Sequence, residues 1–108
     1  ATTVNAEEAK ALFDKGAFFI DVRNLPLWNL GHIQGAFWLD LKLDFTEANL
    51  LRIASRNDSV VIYCAGAKCL RASQASALAV SWGFRRVYYY RDGFPSWRAE
   101  SLPFEVEE

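Results

Sequence analysis

The chain has 108 residues, of which 52% are hydrophobic and 23% charged, and its formal charge is -1 at pH 7. This describes one folded soluble domain, 1–108, and the near-neutral balance, without a basic stripe, excludes a nucleic-acid partner. The longest apolar runs, 60–67 and 75–80, are too short to cross a bilayer, and one distant histidine cannot complete a zinc site with the two cysteines.

In chain order, Asn5 is placed to cap a helix with Glu7 and Glu8 in its first turn. Ala6, Ala9, Leu12 and Phe13 share one face of that helix, which stops at Gly16. Residues 17–22 form an apolar run suited to a strand buried on both faces. Pro26 breaks the chain, so the pattern predicts one helical turn at 27–30, a loop at 31–35 and a second strand at 36–39. Thr46 caps a predicted helix over 47–54, and Arg56, Asn57 and Asp58 make a polar turn. The strongest strand signal covers 59–63 and runs into the first cysteine. A helix over 72–82 ends at Gly83, a strand covers 86–90, and Asp92 and Gly93 turn into a short helix over 94–99 with Trp97 facing inward. The tail from Leu102 closes the domain. Helices alternating with short apolar strands imply an α/β fold, its parallel sheet covered on both faces.

The segment from Val60 to Arg71 carries the chemistry. It places the Cys64 thiol at the carboxyl end of a strand and the mouth of a helix, where open α/β sheets bind ligands. Ala65, Gly66 and Ala67 are small enough for their N–H groups to curl toward the sulfur as an anion nest. The helix that starts near Arg71 adds its positive end, and Lys68 and Arg71 add full charges. An unperturbed cysteine is only about 3% thiolate at neutral pH, and lowering its pKa to about 6 takes roughly 3.4 kcal/mol of preferential anion stabilisation. Any two of these sources reach that scale. The plainer alternative makes Cys64 a small buried hydrophobe and the two cations solvated loop charges.

Two flanking groups of residues extend the pattern. Asp21-Val22-Arg23 is followed by Gly31-His32-Ile33-Gln34-Gly35-Ala36; later come Gly83-Phe84 with Val87, then Asp92-Gly93-Phe94, Trp97 and Pro103. The ordered set is similar to the two signatures of the rhodanese homology domain, and Cys64 lies between them where that family keeps its catalytic cysteine. The resemblance spans nearly the whole chain. It implies a rhodanese-like fold with a five-stranded parallel core and helices on both faces. It also implies sulfur transfer through a Cys64 persulfide, from a small anionic donor such as thiosulfate to a thiol or protein acceptor, without metal or organic cofactor. Lys68 and Arg71 are then expected to attract the donor, and the N–H groups of Ala65, Gly66, Ala67, Lys68, Cys69 and Leu70 to hold the charge on sulfur.

Three departures stand out. The family's usual loop puts arginine at the position held here by Cys69, and Arg71 comes two residues later. The pattern Cys64-x-Gly66-x-Lys68-Cys69 resembles a subgroup of single-domain bacterial rhodaneses with paired cysteines, which often carries serine where this chain has Ala72. Leu27 stands where an acidic residue is usual. Cys69 is either an inert loop residue or a resolving thiol that attacks the Cys64 persulfide, and oxidation joining the two is expected to silence the enzyme. His32 is structural in the resembling family, and Asp21 and Arg23 are expected to hold loops by hydrogen bonds. Trp28, Trp38, Trp82 and Trp97 read as packing, the first two at a pocket rim.

Two rivals share the scaffold. One is a non-catalytic or regulatory module fused to or docked on a larger protein. A chain starting at Ala1 fits excision from such a parent, and the presence of Cys64 opposes it. The other is a phosphatase or arsenate reductase, which needs a wide loop and an arginine gripping phosphate in bidentate fashion. Six residues separate Cys64 from Arg71, against five in the usual phosphatase loop. The cysteine pair suits a reducing cytosol and a periplasm equally.

Overall fold

The computed structural model describes residues 1–107. In chain order the elements are β1 (Thr2–Val4), α1 (Ala6–Asp14), β2 (Phe18–Asp21), α2 (Leu25–Leu30), β3 (His32–Ile33), β4 (Phe37–Trp38), α3 (Glu47–Leu51), β5 (Ser59–Tyr63), α4 (Arg71–Ser81), β6 (Arg86–Tyr90), α5 (Gly93–Ala99) and β7 (Phe104–Glu105). Five strands form one sheet in the order β1-β6-β5-β2-β4, with every neighbouring pair parallel. The expected α/β fold with a five-stranded parallel core is the one observed. A separate antiparallel pair joins β3 to β7.

The central strand β5 explains the layering. Val60, Ile62 and Cys64 point to one face, where α3 and α4 contribute Leu50, Ala72, Ala75 and Ala79. Val61 and Tyr63 point to the other, where α1 and α5 contribute Ala9, Phe94 and Trp97. A strand covered on both faces needs no polar alternation, hence the unbroken apolar run. Full burial of a valine- or isoleucine-sized side chain is worth about 1.5–3 kcal/mol, so β5 is a principal contributor to stability. The alanines of α4 bury only methyl groups, which lets that helix lie close to the sheet and brings its first turn beside Cys64.

Local signals set most boundaries. Asn5 and Glu8 form a reciprocal capping box at α1, with Glu8 N–H donating to Asn5 Oδ1 at 2.8 Å and Asn5 N–H to Glu8 Oε1 at 3.0 Å. Gly16 follows the helix at φ +86°, a left-handed conformation that glycine adopts without strain. Thr46 Oγ1 accepts from Asn49 N–H at the start of α3. Three expectations are corrected, and one strand is added to them. α2 begins before Pro26, because a proline in the first helical turn lacks an N–H that would have no partner there anyway; Asn24 caps that turn through Leu27 N–H. His32 and Ile33, expected in a loop, pair with β7. β1 was not legible as a strand. α3 stops at Leu51, short of Ala54, and its chain tightens into turns on Leu50 C=O.

Parallel strands bring their carboxyl ends to one edge of the sheet. Asp21, Val22 and Arg23 after β2, Leu39 and Asp40 after β4, and Cys64 after β5 gather there. Among the described residues, no helix is long and apolar enough to cross a membrane.

Candidate active site

Cys64 follows β5 directly and shares the face of Val60 and Ile62, so its side chain meets the first turn of α4. It is only 2% exposed. The chain then makes a short loop through Ala65, Gly66, Ala67, Lys68, Cys69 and Leu70, in which Cys69 N–H closes a turn on Gly66 C=O at 3.0 Å. Gly66 sits at φ +143°, a conformation that favours glycine. Cys64 and Cys69 are joined as a disulfide, with 6.3 Å between their Cα atoms. Cys69 is the more accessible partner.

The loop presents donors. Among the described residues, no acceptor takes the N–H groups of Ala65, Gly66, Ala67 or Lys68. Leu70 precedes α4 without a side-chain cap, so the helix's positive end is not neutralised by an acidic residue. Lys68 is exposed and, among the described residues, has no ion-pair partner. Arg71 behaves differently. Its Nη1 donates to Val22 C=O at 3.0 Å and to Asp40 Oδ1 at 3.1 Å. The nearly buried Asp40 also accepts from Lys42 N–H at 2.8 Å, and its carbonyl accepts from Leu43, Asp44 and Phe45 N–H. Arg71 thus bridges α4 to the chain after β2 and the turn after β4.

The loop is also clamped from the opposite face. Phe94 N–H donates to Cys64 C=O at 3.0 Å. Gly93, at φ +68°, lies so close that a Cβ there would sit 2.2 Å from Cys64 O. Beneath this contact Arg23 and Asp21 form a buried fork, with Nε–Oδ1 3.0 Å and Nη2–Oδ2 2.7 Å. The same Nη2 donates to Gly31 C=O. The Arg23 guanidinium lies 4.9 Å from the Phe94 ring centroid and 5.8 Å from that of Tyr63.

This is a strand-end cysteine, an anion-ready loop and a two-sided brace, built from the residues flanking it in sequence. A family model for the rhodanese-like domain matches residues 5–100. The chain belongs to the rhodanese family. Thiosulfate sulfurtransferase GlpE of Pseudomonas fluorescens SBW25 is 34% identical over 100 residues, spanning 93% of this chain and 86% of that protein. Rhodanese-like domain-containing protein 17 of Arabidopsis thaliana is 24% identical, spanning 97% of this chain and 73% of that one. Among solved structures, the rhodanese-like domain of an Anabaena protein matches with a TM-score of 0.78 at 26% identity, covering 98% of this chain and 80% of that one. A Bacillus halodurans protein shares the fold, with a TM-score of 0.83 at 23% identity, covering 97% of this chain and 77% of that one.

The rest of the rhodanese signature is structural. His32 stacks on Trp28 with ring centroids 3.4 Å apart, and its Nδ1 lies 2.9 Å from Trp28 C=O, so that nitrogen carries the proton. Its Nε2 faces Glu105 and Glu107 on the C-terminal segment, 3.7 and 3.6 Å away. The antiparallel pairing of His32 with Glu105 and of Ile33 with Phe104 fastens the tail here. Trp97 Nε1 donates to Pro103 C=O at 2.7 Å and does the same from α5. Trp38 Nε1 donates to Arg23 C=O at 2.7 Å. Asp40, Phe94 N–H and the close approach of Gly93 escaped the sequence reading. Asp40 is a lone acid between Leu39 and Leu41, which is its only local signal.

Tyr63 closes the centre of this rhodanese core. Its hydroxyl accepts from Ile33 N–H at 3.1 Å. Burial, and then the neighbouring Asp21 carboxylate, push its pKa well above the usual phenol value. Burial also raises Tyr90. Both phenols stay neutral when folded at pH values where the unfolded chain ionises. Their stabilising contribution is full below about pH 10 and is lost as pH rises beyond it. Denaturant titrations should find stability falling above about pH 10, and falling less steeply in Tyr63→Phe. That variant should cost about 1–3 kcal/mol at pH 7 because Ile33 N–H loses its acceptor. Parallel pH profiles for the two proteins would contradict the assignment.

Proposed function

We propose that this rhodanese domain is a sulfurtransferase that carries sulfane sulfur on Cys64. The supporting observation is the placement of Cys64 at the end of β5, before a loop in which, among the described residues, the N–H groups of Ala65, Gly66, Ala67 and Lys68 have no acceptor, and beside the uncapped start of α4. The name of the GlpE relatives supplies the donor, thiosulfate.

The reaction begins with the Cys64–Cys69 bond reduced. The Cys64 thiolate attacks the outer sulfur of thiosulfate, the sulfur–sulfur bond of the donor breaks, and sulfite leaves with the electron pair. The enzyme keeps Cys64–S–S⁻. An acceptor thiolate then takes the outer sulfur and Cys64 is released as thiolate. Both the thiolate and the persulfide are anions held by the same donors, so the loop stabilises the charge wherever it resides. Lys68 attracts the anionic donor to the loop mouth. Arg71 shares its charge with Asp40 and holds the loop in register.

The test is thiocyanate formation from thiosulfate and cyanide by the reduced protein. Cys64→Ser should lower the rate by at least about 1000-fold, since the hydroxyl that replaces the thiol forms no persulfide. Equal rates for the two proteins would eliminate the enzyme and leave the non-catalytic module.

A further inference from the structure

We infer that Cys69 is the resolving thiol of this site, so that the chain reduces sulfane sulfur to hydrosulfide at the expense of an external dithiol. The inference rests on the sulfurtransferase reading above and names its acceptor. The observation behind it is the direct bond between the two sulfurs across a six-residue segment, at a Cα separation of 6.3 Å. That separation lies inside the span a disulfide bridges without moving backbone. A Cys69 thiol therefore reaches the Cys64 sulfur from its resting position in the loop. A purely structural bond explains the pair less well. Closing so short a loop removes little entropy from the unfolded chain, and this closure masks the one strand-end cysteine.

The step balances as follows. The Cys69 thiolate attacks the inner sulfur of Cys64–S–SH. The Cys64–Cys69 bond forms, the bond to the outer sulfur breaks, and that sulfur departs as HS⁻ with the electron pair. The two cysteine sulfurs are oxidised to the disulfide and the sulfane sulfur is reduced. A dithiol then opens the bridge. Its first thiolate attacks Cys69, because Cys64 is 2% exposed and Cys69 is the more accessible of the two. Cys64 leaves as the thiolate that the loop donors favour, and the better-stabilised thiolate is the faster leaving group. The second thiol of the reductant completes its own disulfide and frees Cys69. In sum, thiosulfate and a dithiol yield sulfite, hydrosulfide, a disulfide and a proton.

The asymmetry of the pair fits this order. The buried sulfur next to the N–H groups receives the sulfane atom, and the accessible one meets the reductant. A small dithiol or the paired cysteines of a reducing protein both have the required chemistry.

A single-turnover experiment tests it. Fully reduced protein, freed of small thiols, is mixed with thiosulfate, and sulfite, sulfide and intact mass are followed. The wild type should release sulfite and sulfide in equal amounts and finish two hydrogens lighter than it began. Cys69→Ser should release sulfite, yield at least about ten-fold less sulfide, and stop one sulfur atom heavier. Wild-type protein that also stops one sulfur heavier, without sulfide, overturns the resolving role and leaves the sulfurtransferase intact. Absence of sulfite from the wild type sinks the sulfurtransferase reading itself. The resolving role is then read from the reverse reaction, in which sodium sulfide added to the oxidised protein should place a persulfide on Cys64 and a free thiol on Cys69. A persulfide on Cys69, or an untouched bridge, overturns it.

Discussion

Gly93→Ala should unseat the Cys64 loop and lower stability by about 3 kcal/mol or more. Two penalties combine at this position. The backbone at φ +68° is left-handed, which costs a residue with a Cβ on the order of 1 kcal/mol. The added carbon would also lie 2.2 Å from Cys64 O and 3.0 Å from both Cys64 C and Gly66 N. All three contacts are backbone, so no side chain can rotate away. Relief requires α5 to withdraw, which breaks the Phe94 N–H to Cys64 C=O bond and shifts the loop donors. Thermal unfolding should show a midpoint lower by roughly 15 °C, and sulfur transfer should fall with it even where the protein remains folded. Gly35→Ala is the control. Gly35 has a similar φ of +76° and nothing within 4 Å of the built Cβ, so only the backbone penalty applies. Equal losses in the two variants would show that the close approach to Cys64 carries no weight.

Arg23→Met should cost about 3–5 kcal/mol, since it leaves a charge in the core without its partner. Asp21 is fully buried and Arg23 is 4% exposed. The guanidinium neutralises the carboxylate through two short contacts, donates to Gly31 C=O and rests against Phe94. After substitution Asp21 retains the Arg23 main-chain N–H at 3.0 Å and the neighbouring Tyr63 hydroxyl, and no charge to offset its own. Replacing Asp21 by leucine together with Arg23→Met should recover much of the loss, because an apolar pair of similar volume avoids desolvating a charge. Chemical denaturation of the two single variants and the double gives the coupling. A coupling below about 1 kcal/mol would mean that the fork behaves as an exposed ion pair does.

Both predictions concern contacts between residues distant in sequence, and there the sequence was least readable. The strand β5, the Asn5 cap and the stop at Gly16 are written in consecutive residues. The small loop after Cys64 is equally local, and its position followed from a strand signal meeting a helix signal. The strands β1, β3, β4 and β7 contain two or three residues each, too few to show a period, and β1, β3 and β7 are not legible in the sequence. Pro26 is compatible both with a break and with a first helical turn, and the sequence alone does not choose between them. The bond from Arg71 Nη1 to Asp40, an acid from another strand end, follows from no local rule.

Local side-chain size, backbone freedom and apolar runs are enough to lay Cys64 at a strand end, put small residues after it and start a helix beyond, and these properties belong to the sequence alone. Whether that cysteine is masked, which cation stays free and which glycine presses on its carbonyl are settled by the sheet. Parallel pairing carries the ends of β2, β4 and β5 to one edge, and burial there forces each charge to find a partner. Lys68 remains in solvent, Arg71 and Arg23 pair with Asp40 and Asp21, and the sulfur of Cys69 is bonded to that of Cys64.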